Sequence, residues 1–153
     1  MQIRRARKED LEAVSDLIVR TKRLNNEFDP LFAVVADAKV RAERHVLASI
    51  GVPDKLLLVA VDGQKIVGVL RAELRERLFY EPHKEGFVTD FYVLPEYRRK
   101  ALGNEMILRA SVELKKLGAQ IIVADVPAQN DIANRFYAKR GFRSLTNILG
   151  KSP

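Results

Sequence analysis

The chain has no cysteine and only two histidines in 153 residues. The first absence excludes disulfides and a thiol nucleophile. The two isolated histidines, His45 and His83, argue against a zinc site, and no metal is expected. No apolar run approaches the length that crosses a bilayer. The opening Met1-Gln2-Ile3-Arg4-Arg5 lacks the apolar stretch of a secretory leader. Together these absences predict a cytoplasmic protein. Repeats, linkers and low-complexity segments are also missing, so residues 1–153 are expected to form one domain with its own core.

What is present is a globular composition with a basic excess. Twenty-seven basic against 20 acidic residues leave a net charge of +7, which suits a polyanionic partner, whether a small phosphorylated ligand or nucleic acid. The basic residues are scattered along the chain, so most belong to a solvated surface.

Residues 3–6 predict a first strand. Glu9, Asp10 and Glu12 then favour a helix start, and Leu11, Val14, Leu17, Ile18 and Thr21 repeat at helical spacing. A second helix is expected within 37–50, stopped by Gly51 and Pro53. Residues 56–61 form an apolar strand, Asp62-Gly63 signals a hairpin, and 66–74 return. Gly68 within that return strand suggests a bulge or a close backbone approach. Residues 87–94 make a third long strand, 104–117 a helix ended by Gly118, and 120–126 an apolar strand. A last helix over 131–140 and a closing strand over 142–149 complete the order β-α-α-β-β-β-α-β-α-β. That order implies an α/β fold with a mixed, mostly antiparallel central sheet covered by helices.

Two stretches carry chemistry. In the first, the strand Phe91-Tyr92-Val93 ends at Pro95 and leads through Arg98-Arg99-Lys100-Ala101-Leu102-Gly103 to a helix starting near Asn104. Free backbone N–H groups and the positive end of a helix dipole meet there, which suits a phosphate. Small residues at Ala101 and Gly103 allow a close approach. In the second, Asn130, Ala133, Tyr137 and Gly141-Phe142 fall at helical spacing, with Tyr137 four residues after Ala133 on one face. Asn130 also suits an N-cap.

Both stretches resemble motifs of the GNAT N-acetyltransferase superfamily. Its acyl-CoA pyrophosphate loop reads Arg or Gln, two residues, Gly, one residue, Gly or Ala; here Ala101 replaces the first glycine. The resemblance implies acetyl transfer from acetyl-CoA to a primary amine by direct attack, with acetyl-CoA as co-substrate and an amine, small or on a protein, as acceptor. It implies that Phe91, Tyr92 and Val93 pair with pantetheine and that residues Arg98, Arg99, Lys100, Ala101, Leu102, Gly103 and Asn104 cradle the pyrophosphate. Asn130 would touch the pantetheine arm, and Tyr137 would bind there as the general acid for the departing thiolate. Small members of the family are often homodimers, and 142–149 would offer an edge for pairing. The general base is fixed by no motif. Asp90 on the motif strand is the leading choice, with Glu73, Glu85 and His83 as alternatives. Two other functions fit less of the sequence, a non-catalytic acyl-CoA-binding regulator and a nucleic-acid-binding module.

Overall fold

The computed structural model describes residues 1–99 and 101–153. Among the described residues the α-helices and β-strands follow in this order: β1 (Gln2–Arg5), α1 (Leu11–Asn26), α2 (Ala38–Leu47), β2 (Lys55–Asp62), β3 (Lys65–Glu76), β4 (Lys84–Val93), α3 (Leu102–Leu117), β5 (Ile121–Ala124) and α4 (Asp131–Ala138). The strands form one sheet in the order β1-β2-β3-β4-β5. The first three pairings are antiparallel and β4–β5 is parallel. A hairpin joins antiparallel neighbours, whereas the parallel pair needs a crossover, which α3 supplies. The α/β order and the mixed, mostly antiparallel sheet are as the sequence predicts.

Helices cover both faces of the sheet. Leu56, Leu57, Leu58, Val59 and Ala60 are therefore all buried, although successive side chains of a strand point to opposite faces. One face receives α3 at unusually close range. A Cβ built on Gly68 would lie 2.9 Å from Met106 Sδ, and one on Gly86 would lie 2.8 Å from a Leu114 methyl. The missing side chains of these glycines make room for the helix. The opposite face carries α1 and α2, which bury Val14, Leu17, Ile18 and Val46.

Two register shifts bend the sheet. One lies opposite Ala60 and Val61, next to Gly68, where the sequence suggested a bulge or close approach; both occur. The other makes Arg71 pair with Asp90 and Ala72 with Val88, leaving Thr89 as the extra residue of β4. The Thr89 hydroxyl accepts from Arg71 Nη1 at 2.8 Å and donates to the Arg71 carbonyl at 3.2 Å. Thr89 and Asp90 thus both face the α1/α2 side with Arg71.

The expected closing strand over 142–149 does not form. Phe142 turns back onto Tyr137, while Leu145, Ile148 and Leu149 are exposed. The reason is the spacing. Phe142, Leu145 and Ile148 recur every third residue, whereas a strand needs every second residue to make one apolar face.

Asp10 pins the start of α1 to β1. Its carboxylate accepts from Arg4 Nη1 at 2.7 Å, Arg4 Nη2 at 3.1 Å and the Arg7 backbone N–H at 2.7 Å. The Arg4 hydrogen bonds, outweighing burial and helped by the Arg7 N–H, hold it below the usual carboxylate range. Because the folded value is depressed, the stabilisation is complete above the unfolded value of about 4. It fades as the pH falls below that toward the folded value. Asp10→Asn should cost about 2 kcal/mol at neutral pH, measured by urea denaturation, and the deficit should shrink on acidification.

Candidate functional site

The site begins where two strands part. β4 and β5 pair only from Glu85–Ile121 to Val88–Ala124. The last link is the Asp125 N–H to the Val88 carbonyl, 3.3 Å. β4 runs on to Val93 beside β3, while the other chain turns through Pro127 into α4. The Leu94 N–H donates to Val67 of β3 at 2.9 Å. Backbone groups alternate along a strand, so Tyr92 also points to β3, and Phe91 and Val93 point into the opening. The Val93 carbonyl there accepts Arg98 Nε at 2.9 Å. The guanidinium lies over the Tyr92 ring at 5.2 Å. An extended ligand with amide groups can add to this edge as a strand would.

The parted strands open toward the start of α3. Its first backward bond runs from the Glu105 N–H to the Ala101 carbonyl, 3.1 Å, and no side chain caps it. The N–H groups of Ala101, Leu102, Gly103 and Asn104 therefore have no acceptor within the helix, and the dipole adds positive potential. Arg98 and Arg99 are exposed beside them, Lys100 lies outside the described residues, and the Leu102 side chain is buried in the core. Leu102 can contribute only its backbone.

Ala101 sits in the left-handed region, φ 58°, and is the only described non-glycine residue with positive φ. The motif's first glycine is thus replaced where its freedom matters. Gly103 also has a packing reason to be glycine. A Cβ there would lie 3.2 Å from the Phe136 ring and 3.7 Å from Phe91, so this glycine lets α4 dock on α3.

Arg140, which no sequence motif singles out, marks the same place. Its Nε donates to Asn104 Oδ1 at 2.8 Å, its Nη1 donates to the Phe136 carbonyl at 2.7 Å, and it stacks on the Phe136 ring at 3.6 Å. A cation is thereby fixed at the first turn of α3. Its place in the turn just after α4 carried no motif; only the contact with α3 reveals it.

An aromatic chain joins the strand edge to α4. Phe91 meets Phe136 at 5.7 Å, Phe136 meets Tyr137 at 5.3 Å, and Tyr137 meets Phe142 at 5.0 Å. Tyr137 is only 8% exposed, and burial pushes its phenol above the ordinary tyrosine range. It is a proton donor throughout the neutral range and not a base. Asn130 Oδ1 accepts the Ala133 N–H at 3.1 Å and caps α4, which leaves the side-chain NH₂ unused by that bond.

Asp90 lies one residue before Phe91, buried on the α1/α2 face. Lys22 Nζ stands 2.6 Å from its Oδ1 as an ion pair, and that oxygen accepts no other bond among the described residues. Arg71 beside it is directed to other partners. It donates to Ser49 Oγ and Thr89 Oγ1 at 2.8 Å each and reaches Glu73 at 3.4 Å. His45, which the sequence gave no role, adjoins this group from α2. Partial burial holds its pKa below the ordinary histidine range, and Arg71 and Lys22 add to the effect against the pull of Asp90.

The alternative bases are not brought to the opening. Burial would raise Glu73, but its bond from Arg75 and the charges of Arg75 and Arg71 outweigh that and hold it low. Glu85 is 3.7 Å from Arg77. His83 precedes β4, at the end remote from Val93.

Comparison with known proteins defines the class. The model of the acetyltransferase (GNAT) family matches residues 12–142. The chain belongs to that family. No curated protein matches the sequence. Among solved structures, the aminoglycoside antibiotic 6'-N-acetyltransferase of Acinetobacter haemolyticus superposes with a TM-score of 0.80 at 20% identity, covering 100% of this chain and 98% of that one. A predicted acetyltransferase of Clostridium acetobutylicum, solved with acetyl-CoA, gives 0.80 at 16% identity over 99% and 95%. A transcriptional regulator of Bacillus halodurans gives 0.78 at 22% identity over 99% and 98%. These likenesses establish a shared fold.

The left-handed Ala101 is a testable cost. Ala101→Gly removes the Cβ clash and should stabilise the protein by about 1 kcal/mol, seen as a higher denaturation midpoint with an unchanged slope. An unchanged midpoint would mean that the loop has another conformation.

Proposed function

We propose that this protein transfers an acetyl group from acetyl-CoA to a primary amine, small or protein-borne, by direct attack and without a metal. The observation that carries the proposal is the opening between β4 and β5. An uncapped helix N-terminus and a free strand edge flank it, and a buried carboxylate lies one residue before that edge. These residues fit acetyl-CoA: the N–H groups of 101–104, with Arg98, Arg99 and Arg140 nearby, match a pyrophosphate, and Phe91 and Val93 match the pantetheine amides. Arg98 must release the Val93 carbonyl for that pairing. The bound thioester supplies an activated acetyl carbon.

The chain's own residues do the rest. The Phe91 or Val93 N–H polarises the thioester carbonyl. Asp90 takes a proton from the acceptor ammonium, directly or through water. Tyr137, kept protonated by its burial, gives a proton to the leaving sulfur. Asn130 retains its amide N–H groups for the pantetheine arm while its oxygen caps α4.

A non-catalytic acyl-CoA-binding regulator is the second reading, supported by the fold shared with the Bacillus halodurans transcriptional regulator. Release of CoA in the presence of amines separates the two. With the enzyme reading go three further proposals: one domain over 1–153, a cytoplasmic location, and a homodimer. No described helix is long and apolar enough to cross a membrane. Exposed Leu145, Ile148 and Leu149 are the surface the dimer would cover, in place of the strand pairing expected from the sequence.

Two variants test the site. Ala101→Asp puts a carboxylate at a position that tolerates left-handed aspartate and aims it at the orphan N–H groups. The fold should survive, and acetyl-CoA affinity should fall at least about 10-fold by calorimetry as the carboxylate competes with phosphate. Tyr137→Phe keeps the ring and removes the donor. Stability should change by about 1 kcal/mol, acetyl-CoA affinity should hold, and turnover should fall about 100-fold. Near-normal turnover, with chemistry rate-limiting, would reduce Tyr137 to packing.

A further inference from the structure

The amine nearest to the proposed base belongs to the protein itself. Lys22, in the last turns of α1, holds its Nζ 2.6 Å from Asp90 Oδ1. The carboxylate is 2% exposed, while the lysine side chain is 46% exposed. Asp90 is followed by Phe91, whose backbone faces the opening. The lysine is held by this one ion pair, and no other carboxylate pairs with it among the described residues. Arg71, the other cation against Asp90, is spent on Ser49, Thr89 and Glu73 and carries no nucleophilic amine.

We propose that Lys22 is a self-acetylation site: it occupies the acceptor position beside Asp90 and takes the acetyl group itself when no better amine is present. The inference rests on the reading that the chain binds and uses acetyl-CoA. Lys22 gives one ammonium proton to Asp90. The freed lone pair forms an N–C bond with the thioester carbon, the C–S bond breaks, and the sulfur leaves with the bonding electrons. Of the three ammonium protons, one stays on the amide nitrogen and one replaces the proton that Tyr137 gives the thiol. The third passes through Asp90 to water.

Acetylation removes the charge of Lys22 and leaves Asp90 buried without its ammonium. A buried carboxylate stripped of its partner is costly. The modified protein should therefore be less stable, and its acceptor position blocked by an uncharged amide.

The test incubates the full chain with acetyl-CoA and no acceptor, then maps acetyl-lysine by peptide mass spectrometry. Lys22 should be acetylated at least about 10-fold faster than Lys39 and Lys65, which pair with surface carboxylates Asp16 and Glu96. Asp90→Asn should bring Lys22 down to their rate. If that variant does not fold, Tyr137→Phe should slow Lys22 and leave Lys39 and Lys65 unchanged. A readout free of acetyl-CoA is thermal melting: Lys22→Gln should lower the melting temperature and Lys22→Arg should restore it. Equal acetylation of all three lysines, or Lys22 acetylation indifferent to both Asp90→Asn and Tyr137→Phe, would overturn the proposal. If acetyl-CoA binds and added amines release CoA while Lys22 stays unmodified, only the self-acetylation fails. If acetyl-CoA neither binds nor is consumed, the enzyme reading fails with it.

Discussion

The site depends on β4 leaving β5 after Val88. β3 holds β4 along its whole length, but β5 has only four residues, Ile121–Ala124. Pro127 follows, without an N–H, and its carbonyl accepts the turn into α4. The extra residue Thr89 adds twist to β4 at the same level. The result is a sheet edge inside the protein, with carbonyls and N–H groups facing a space and not a neighbour. Such an edge is a template for an extended chain. The crossover fixes which end it faces. α3 follows β4 after a short turn, so its positive N-terminus stands at the carboxyl end of the parted strand. One ligand can meet both.

The opening is kept in shape by close packing on either side. Gly68 and Gly86 bring α3 against the sheet, and Gly103 brings α4 against α3. Phe136 touches Phe91, Gly103 and Arg140 at once, coupling the strand edge, the helix start and the basic side chain. Enlarging any of these contacts would move the backbone N–H groups relative to the strand edge, since packed interiors transmit displacement.

The sequence showed what is local. A β-branched and aromatic run into Pro95, small residues, and a helix start are neighbours along the chain, so the loop proposed to hold phosphate and its strand could be read directly. Tyr137 and Asn130 came from the resemblance of one short stretch to a family motif. What it did not show is what the fold assembles. Lys22, His45 and Asp90 come from α1, α2 and β4, and nothing in their order along the chain predicts that they meet. Arg140 on Asn104 is the same kind of contact. The closing strand was misread because apolar content was weighed above its period of three. At Ala101 the sequence showed a motif glycine replaced, and only the backbone shows that the position has a positive φ.

Two buried aspartates are held in different ways. Asp10 receives three hydrogen bonds, two from Arg4 and one from a backbone N–H. Its lone pairs are committed, and its charge serves the junction of β1 and α1. Asp90 is as deeply buried, yet the partner of its Oδ1 is the half-exposed ammonium of Lys22 alone among the described residues. The arginine on the same face donates instead to Ser49, Thr89 and Glu73. A buried carboxylate held by one flexible amine, and by no backbone N–H, keeps its place only while an ammonium stands beside it. It lies one residue from the backbone groups proposed to hold the thioester, which is where the proposed mechanism needs a general base.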